Sequence, residues 1–285
     1  MSVVIIFFNE AEHLRDAIES VLAQTYRDWE LVLVDDGSDD QSVEVARDYA
    51  ERHPENVTLV QHPGGANRGM SASRNLGVAQ SRGDWITFLD GDDVWEADKL
   101  EGQFELLAQH LDVDVLVSPA LWWYDSDDGP VDFVQALHAA PDSIVPGSDL
   151  VRAFLQDEWA SLCDVLMKRD CFNDAEGYES DFRDMFEDQV FHTKLLLGRH
   201  VLVTRRWWYR YRQHPEATTA LAHAGSRHRR ARAKFLFWAM RYTLMQAEVP
   251  WRLRSTLVLE SARLGAGPRA VLRRILATPR RAGDG

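Results

Sequence analysis

The chain has 285 residues, 45% hydrophobic and 27% charged, enough for one large domain with an appendage. Its net charge of −13 is uneven: residues 223–285 carry 14 Arg/Lys against 3 Asp/Glu, and residues 1–222 carry 18 against 42. The early apolar run VVIIFF stops at Asn9-Glu10, and nothing later reaches the ~18 apolar residues of a spanning helix, so the expectation is a protein made and kept in the cytoplasm.

In chain order, SVVIIFF reads as a buried strand, and EAEHLRDAIESVLAQ puts Leu14, Ile18, Val21 and Leu22 on one helical face. WELVLVDD is a second strand and QSVEVARDYAERH a second helix. NVTLVQH is a third strand, and a loop with Gly64-Gly65 leads to a helix over MSASRNLGVAQS. DWITFLD, the helix ADKLEGQFELLAQHL and the strand DVDVLVSPAL follow. Such alternation, with nearly continuous apolar strands, predicts an α/β fold with a mostly parallel sheet covered on both faces. Residues 122–222 are less regular, ending in a predicted strand HVLVTRRWWYRYR, and beyond His223 the chain turns helical and basic. Cys163 and Cys171 lack a C-x-x-C partner set and read as ordinary thiols.

In parallel sheets ligands bind at the carboxyl ends of the strands, and four of these ends carry chemistry: Asn9-Glu10, Asp35-Asp36, the stretch from Asn67 to Arg74, and Asp90-Gly91-Asp92-Asp93. Two charges ~4 Å apart repel by roughly 4 kcal/mol at an effective dielectric near 20. Three clustered Asp therefore suit a divalent cation such as Mg²⁺ or Mn²⁺ that also takes phosphate oxygens; a capped Asp-Gly turn explains them equally well. Asp35-Asp36 can accept from a base N–H or a ribose hydroxyl, or cap the next helix. The loop with Gly64, Gly65, Asn67 and Gly69 lets backbone approach a ligand, with Arg74 one turn in, yet it fits neither common nucleotide-loop motif. Glu187-Asp188 opens a helix, as a general base or as an ordinary first-turn acidic pair; His192, one turn later, reads as a core or surface histidine before a metal ligand. Arg210, Arg212 and His214 fit a pyrophosphate or a metal, Thr218 or Thr219 a phosphate, unless the arginines are simply solvated.

In this order the clusters resemble the family 2 glycosyltransferases of the GT-A fold over roughly residues 2–222. NRGMSASRNLG is similar to the family's N-x-G-x-x-x-A-R-N segment with Ser73 in place of Ala, FLDGDDVW to its D-x-D motif and FEDQVF to its E-D motif. The resemblance implies a Rossmann-like GT-A domain over 1–222, with a basic, mainly helical extension over 223–285. It implies an inverting, metal-dependent transfer from a nucleoside diphosphate sugar, UDP above all, to a glycan or lipid-linked acceptor in bacterial cell-surface polysaccharide synthesis. Asp188 would be the base and Glu187 its companion. Phe8, Asn9, Glu10, Asp35, Asp36, Asn67, Arg74, Asp90, Gly91 and Arg212 would line the sugar-nucleotide site, and Asp92 with His214 would hold the Mn²⁺ or Mg²⁺.

Outside the resemblance, the basic tail interleaves its charge with Phe235, Phe237, Trp238, Trp251 and Leu253. One expectation is an anionic membrane surface on the inner face of the plasma membrane; the other is packing on the acidic body or an oligomer contact. Nucleic acid is not an expected partner of so acidic a body. A sugar-nucleotide pyrophosphorylase and a catalytically silent sugar-nucleotide or glycan-binding protein are the alternatives; the first lacks its Gly-rich, basic loop after VVIIFF.

Overall fold

Side chains that alternate between the two faces of the first strand set up both halves of the core. In the computed structural model, which describes residues 1–124, 130–156, 162–183, 185–214, 226–246 and 249–264, β1 (Ser2–Phe7) is buried throughout. Val3, Ile5 and Phe7 face one side, with α1 (Leu14–Leu22) and α2 (Ser42–Arg52); Val4 and Ile6 face the other, with α3 (Met70–Gln80). Each such side chain contributes roughly 1.5–3 kcal/mol on burial. Beside β1 lie β2 (Glu30–Asp35) and, on its far side, β3 (Val57–Gln61); β4 (Trp85–Asp90) flanks β1 on the other edge, and all four run parallel.

The sheet continues through elements that the sequence shows less openly. After β5 (Val94–Trp95) and α4 (Lys99–Ala108) come β6 (Val115–Ser118), β7 (Ala120–Trp123), β8 (Phe133–Val134), β9 (Ser143–Pro146), α5 (Gly147–Gln156), β10 (Asp164–Lys168) and α6 (Arg169–Asp174). Then follow α7 (Glu187–Leu196), β11 (His200–Val203), β12 (Tyr209–Arg212), α8 (Ser226–Met245) and α9 (Trp251–Arg263). The main sheet has the order β3-β2-β1-β4-β10-β6-β11-β9, with only β10 and β9 opposing the common direction. A mixed α/β architecture with a mostly parallel sheet and C-terminal helices is therefore what the chain adopts.

Two predicted strands are each two strands. DVDVLVSPAL breaks at Pro119, which has no N–H for a ladder, and HVLVTRRWWYRYR breaks at Thr204–Trp208. In both, the first half stays in the main sheet and the second joins a smaller sheet, order β5-β12-β7-β8. The halves remain neighbours, β11 parallel to β6 and β12 parallel to β7, so two adjacent segments cross between sheets together. That crossing brings Arg212 and His214 back to the carboxyl end of β4.

The basic helices are not detached. Phe235, Leu236 and Ala239 of α8 and Leu253 and Leu257 of α9 belong to the same buried cluster as Val4, Leu150 and Val190. Buried Arg232 donates to the Leu155 carbonyl at 2.8 Å and pairs with Glu260 at 3.3 Å, tying α8, α9 and α5 together. The expected boundary at 222/223 lies outside the described residues.

Candidate active site

The site grows from the ends of β1, β2 and β4. Asp35 and Asp36 follow the buried strand β2, and both carboxylates hold loops. Asp35 accepts from the Ser38 amide at 2.8 Å and the Gln61 side chain at 2.9 Å. Asp36 accepts from the amides of Arg68 (2.7 Å) and Gly69 (2.9 and 3.0 Å), just where α3 begins. Directly after them Gly37 has φ +85°, and a Cβ there would sit 2.7 Å from the Asn67 nitrogen, so only glycine lets the 64–67 loop close on β2. Phe8 is 47% exposed at the mouth. Asn9 takes a left-handed conformation (φ 57°) and binds the Asp39 amide through its side chain. Asn67, also exposed, receives Arg183 at 3.3 Å.

Arg74 forms the centre. It projects from α3, is 6% exposed, donates to Asp90 Oδ1 at 2.7 Å through Nη2, and lies 3.6 Å from Glu187 Oε1 through Nη1, with the Tyr178 ring 5.3 Å away. Two carboxylates stabilise its charge despite burial, so its pKa is held above the ordinary arginine value. Burial and then Asp188 push Glu187 up to about 7, against the pull of Arg74. The acidic pair is presented by an unusual backbone: Phe186, directly before α7, is left-handed (φ 65°) and buried. Its ring stacks on Phe235 of α8 (5.4 Å, 11° between planes), which holds a conformation that costs roughly 1–2 kcal/mol in an L-residue.

Asp188, half-buried, shares a cavity with Arg74, Asp90, Tyr178, His192 and Cys163, so the ends of β4, α3 and α7 converge on one space. Tyr178 is a site residue that the motifs did not single out, and His192, read in the sequence as a core or surface histidine, lines the cavity as well. Tyr178 is strapped to α3 by Asn75, which donates to its carbonyl at 2.9 Å and accepts from its amide at 2.8 Å. His192 is buried, its Nδ1 has no hydrogen-bond partner, and burial followed by Arg74 lowers its pKa to about 3, so it is neutral at ordinary pH. Its spacing of four from Asp188 on a helix was the available signal.

The three acids at the carboxyl end of β4 diverge. Asp90 pairs with Arg74. Asp92 Oδ2 lies 3.1 Å from His214 Nε2, joining the two expected metal ligands. Asp93 is fully buried and accepts from the Tyr209 hydroxyl (2.7 Å) and the Arg212 amide (2.8 Å), clamping β12 to the loop. Arg212 is buried as well: Nε donates to the Asp92 carbonyl at 2.8 Å, Nη2 pairs with Asp16 at 3.0 Å, and the guanidinium lies 4.3 Å from the Trp123 ring. Gly91 is held to glycine by contact, since a Cβ would meet Phe7 Cβ at 2.9 Å and the Ile6 carbonyl at 3.2 Å. Glu10 lies beside this group; burial and the charges of Asp92 and Asp90 raise its pKa to about 7. Among the described residues no three His, Cys, Asp or Glu side chains form a metal cage. The residues present fit a hard cation that completes its shell with other oxygens, because Asp92 and His214 already meet and the neighbouring acids repel. Thr218 and Thr219 lie outside the described residues.

Residues 2–130 match the family model "Glycosyl transferase family 2". An uncharacterized glycosyltransferase of Nostoc sp. is 39% identical over 121 residues, 40% of this chain and 37% of that protein. The cholesterol galactosyltransferase of Borreliella burgdorferi is 40% identical over 101 residues, 35% of this chain and 27% of that protein. The chain thus spans well under half the length of these relatives. Among solved structures, S. aureus TarS 1-349 in complex with UDP-GlcNAc aligns over 93% of this chain and 72% of its own, with a TM-score of 0.72 at 19% identity. The mannosyltransferase PcManGT from Pyrobaculum calidifontis, in complex with GDP-Man and Mn²⁺, aligns over 100% of this chain and 76% of its own, with a TM-score of 0.60 at 20% identity. The fold is therefore the one these proteins share.

Proposed function

We propose that this chain, whose residues 2–130 match the glycosyl transferase family 2 model, transfers a sugar from a nucleoside diphosphate sugar to an acceptor hydroxyl with inversion. The observation that carries the reading is the convergence of Arg74, Asp90 and the Glu187-Asp188 pair at the carboxyl end of the sheet. Asp188, half-buried and lining the cavity, takes the acceptor proton. The acceptor oxygen then bonds to the anomeric carbon as its bond to the diphosphate breaks, and the electron pair leaves on the nucleoside diphosphate. Glu187, buried against Arg74, positions rather than deprotonates.

Asp92 and His214 would hold Mn²⁺ or Mg²⁺, which when bound offsets the charge of the diphosphate. Phe8, Asn9 and Glu10 with the Asp35-Asp36 loops would receive the nucleotide, Asn67 and Gly91 bordering it. Arg212 would reach the diphosphate only by leaving Asp16; in place, it fixes the backbone of Asp92. UDP is the favoured nucleotide because TarS, alike in fold, is seen with UDP and UDP-GlcNAc, and the cation is supported by Mn²⁺ in the mannosyltransferase complex. The acceptor we favour is a glycan or lipid-linked hydroxyl of cell-surface polysaccharide, on the cytoplasmic side. Thermal shift against a panel of sugar nucleotides with Mn²⁺ tests the donor assignment: a bound donor raises the midpoint by mass action, and no shift with any of them overturns it.

A further inference from the structure

The tail residues that looked membrane-facing in the sequence are largely core. Phe235 and Leu253 are buried, Phe237 and Trp238 are half-buried, and only Trp251 stands out, at 74% exposure. The structure exposes a different set. Along α9, Leu253, Leu257, Glu260 and Ser261 point inward. At 3.6 residues per turn the opposite face carries Trp251, Val258 and Ala262 in one stripe with Leu259 beside it, and all four are exposed. Arg254 borders the stripe on one side, Arg252 and Arg263 on the other. The last turn of α8 adds exposed Leu244 and Met245 near the start of α9.

The charge on this face is one-sided. The only acid of α9, Glu260, is buried and shared between Arg232 (3.3 Å) and Arg263 (2.6 Å). Among the described residues no carboxylate pairs with Arg252 or Arg254. An outward apolar stripe with a tryptophan at its end and arginines on both edges is the pattern of a helix lying in the plane of a bilayer surface. A symmetric dimer through this face would set the arginines of the two copies against one another, which disfavours it. No described helix is long and apolar enough to cross a membrane, so contact would be with the surface.

We infer that the outward face of α9, with the end of α8, docks on the surface of an anionic lipid bilayer. The apolar stripe enters the headgroup boundary while Arg252 and Arg254 meet lipid phosphates. Because Phe235 of α8 stacks on Phe186, the hairpin that docks is packed directly against the residue that presents Glu187 and Asp188.

The test is co-sedimentation of the full chain with phosphatidylcholine vesicles containing phosphatidylglycerol, and with pure phosphatidylcholine vesicles. Two variants are compared with wild type, Arg252→Glu/Arg254→Glu and Trp251→Ser/Leu259→Ser. All four side chains are exposed, so unfolding midpoints should match wild type. The expected result is wild-type binding to the anionic vesicles only, weakened by at least about tenfold in the charge variant and by a similar factor in the apolar one. Equal binding by all three proteins, or no preference for anionic lipid, overturns the assignment. So does absent vesicle binding with a dimer that the apolar variant dissociates, since a second copy would then own the face. Sugar-nucleotide thermal shifts run without vesicles report on the proposed activity separately: a failed docking test with an intact shift refutes only the docking surface.

Discussion

Arg74 gives a prediction whose size and pH dependence both follow from its surroundings. Arg74→Met removes the buried cation between Asp90 and Glu187 while keeping an unbranched apolar stem. Breaking a buried pair by deleting one partner costs about 3–5 kcal/mol. Two features reduce that here. The Asp90 side chain is 39% exposed, so water takes over part of its solvation. Glu187, already raised to about 7, escapes as the neutral acid. Removing Arg74 removes what holds that pKa down, so it rises further. At pH 8 the variant must either bury an unpaired carboxylate or take up a proton against the bulk pH, whereas at pH 6 protonation is nearly free. The expected loss is about 3 kcal/mol at pH 8 and about 1–2 kcal/mol at pH 6, read from urea unfolding by linear extrapolation. Arg74→Lys should fall between, because one ammonium cannot bridge both carboxylates. A Met variant within about 0.5 kcal/mol of wild type at both pH values, or one destabilised more at pH 6, would refute the reasoning.

Three further outcomes are expected. Gly91→Ala should cost about 1–3 kcal/mol in urea unfolding, because its Cβ would meet Phe7 Cβ at 2.9 Å. For His192 the folded pKa of about 3 lies below the ordinary 6.5, so its contribution is complete above pH 6.5 and falls by about 1.4 kcal/mol per pH unit below it. His192→Asn should accordingly lose about 2 kcal/mol less than wild type between pH 7 and pH 5; parallel pH profiles would contradict this. Asp92→Asn, or chelation of wild type with EDTA, should abolish the Mn²⁺-dependent part of the UDP thermal shift, and an undiminished shift removes Asp92 from the cation site.

The legible parts of the fold are those where one physical rule acts alone. Parallel strands buried on both faces read as apolar runs, and their polar carboxyl ends mark where Asp36, Asp90 and Arg74 gather. β10 was invisible for the opposite reason: it sits between β4 and β6 yet contributes only Val165, Leu166 and Met167 as apolar residues. Its first residue, Asp164, is fully buried because Lys99 of α4 pairs with it (2.5 Å) and Gln103 donates to it (3.0 Å) from another part of the chain. Asp93 likewise reads as one more turn acid until β12, more than a hundred residues later, supplies Tyr209 and the Arg212 amide. Tail arginines and aromatics looked like one basic surface, but Phe235 and Leu253 had partners on α5 and α7 that no local pattern names.

In the proposed transfer from a nucleoside diphosphate sugar, Asp188 takes the acceptor proton. The most direct measurement is release of nucleoside diphosphate from the donor that stabilises the protein, with Mn²⁺, by wild type and by Asp188→Asn. Asparagine keeps the size and the acceptor oxygen that receives the Gln189 amide at 2.7 Å, but it cannot take a proton. The donor thermal shift should be unchanged, with turnover lowered at least about a hundredfold. Turnover that survives the substitution would contradict this role of Asp188.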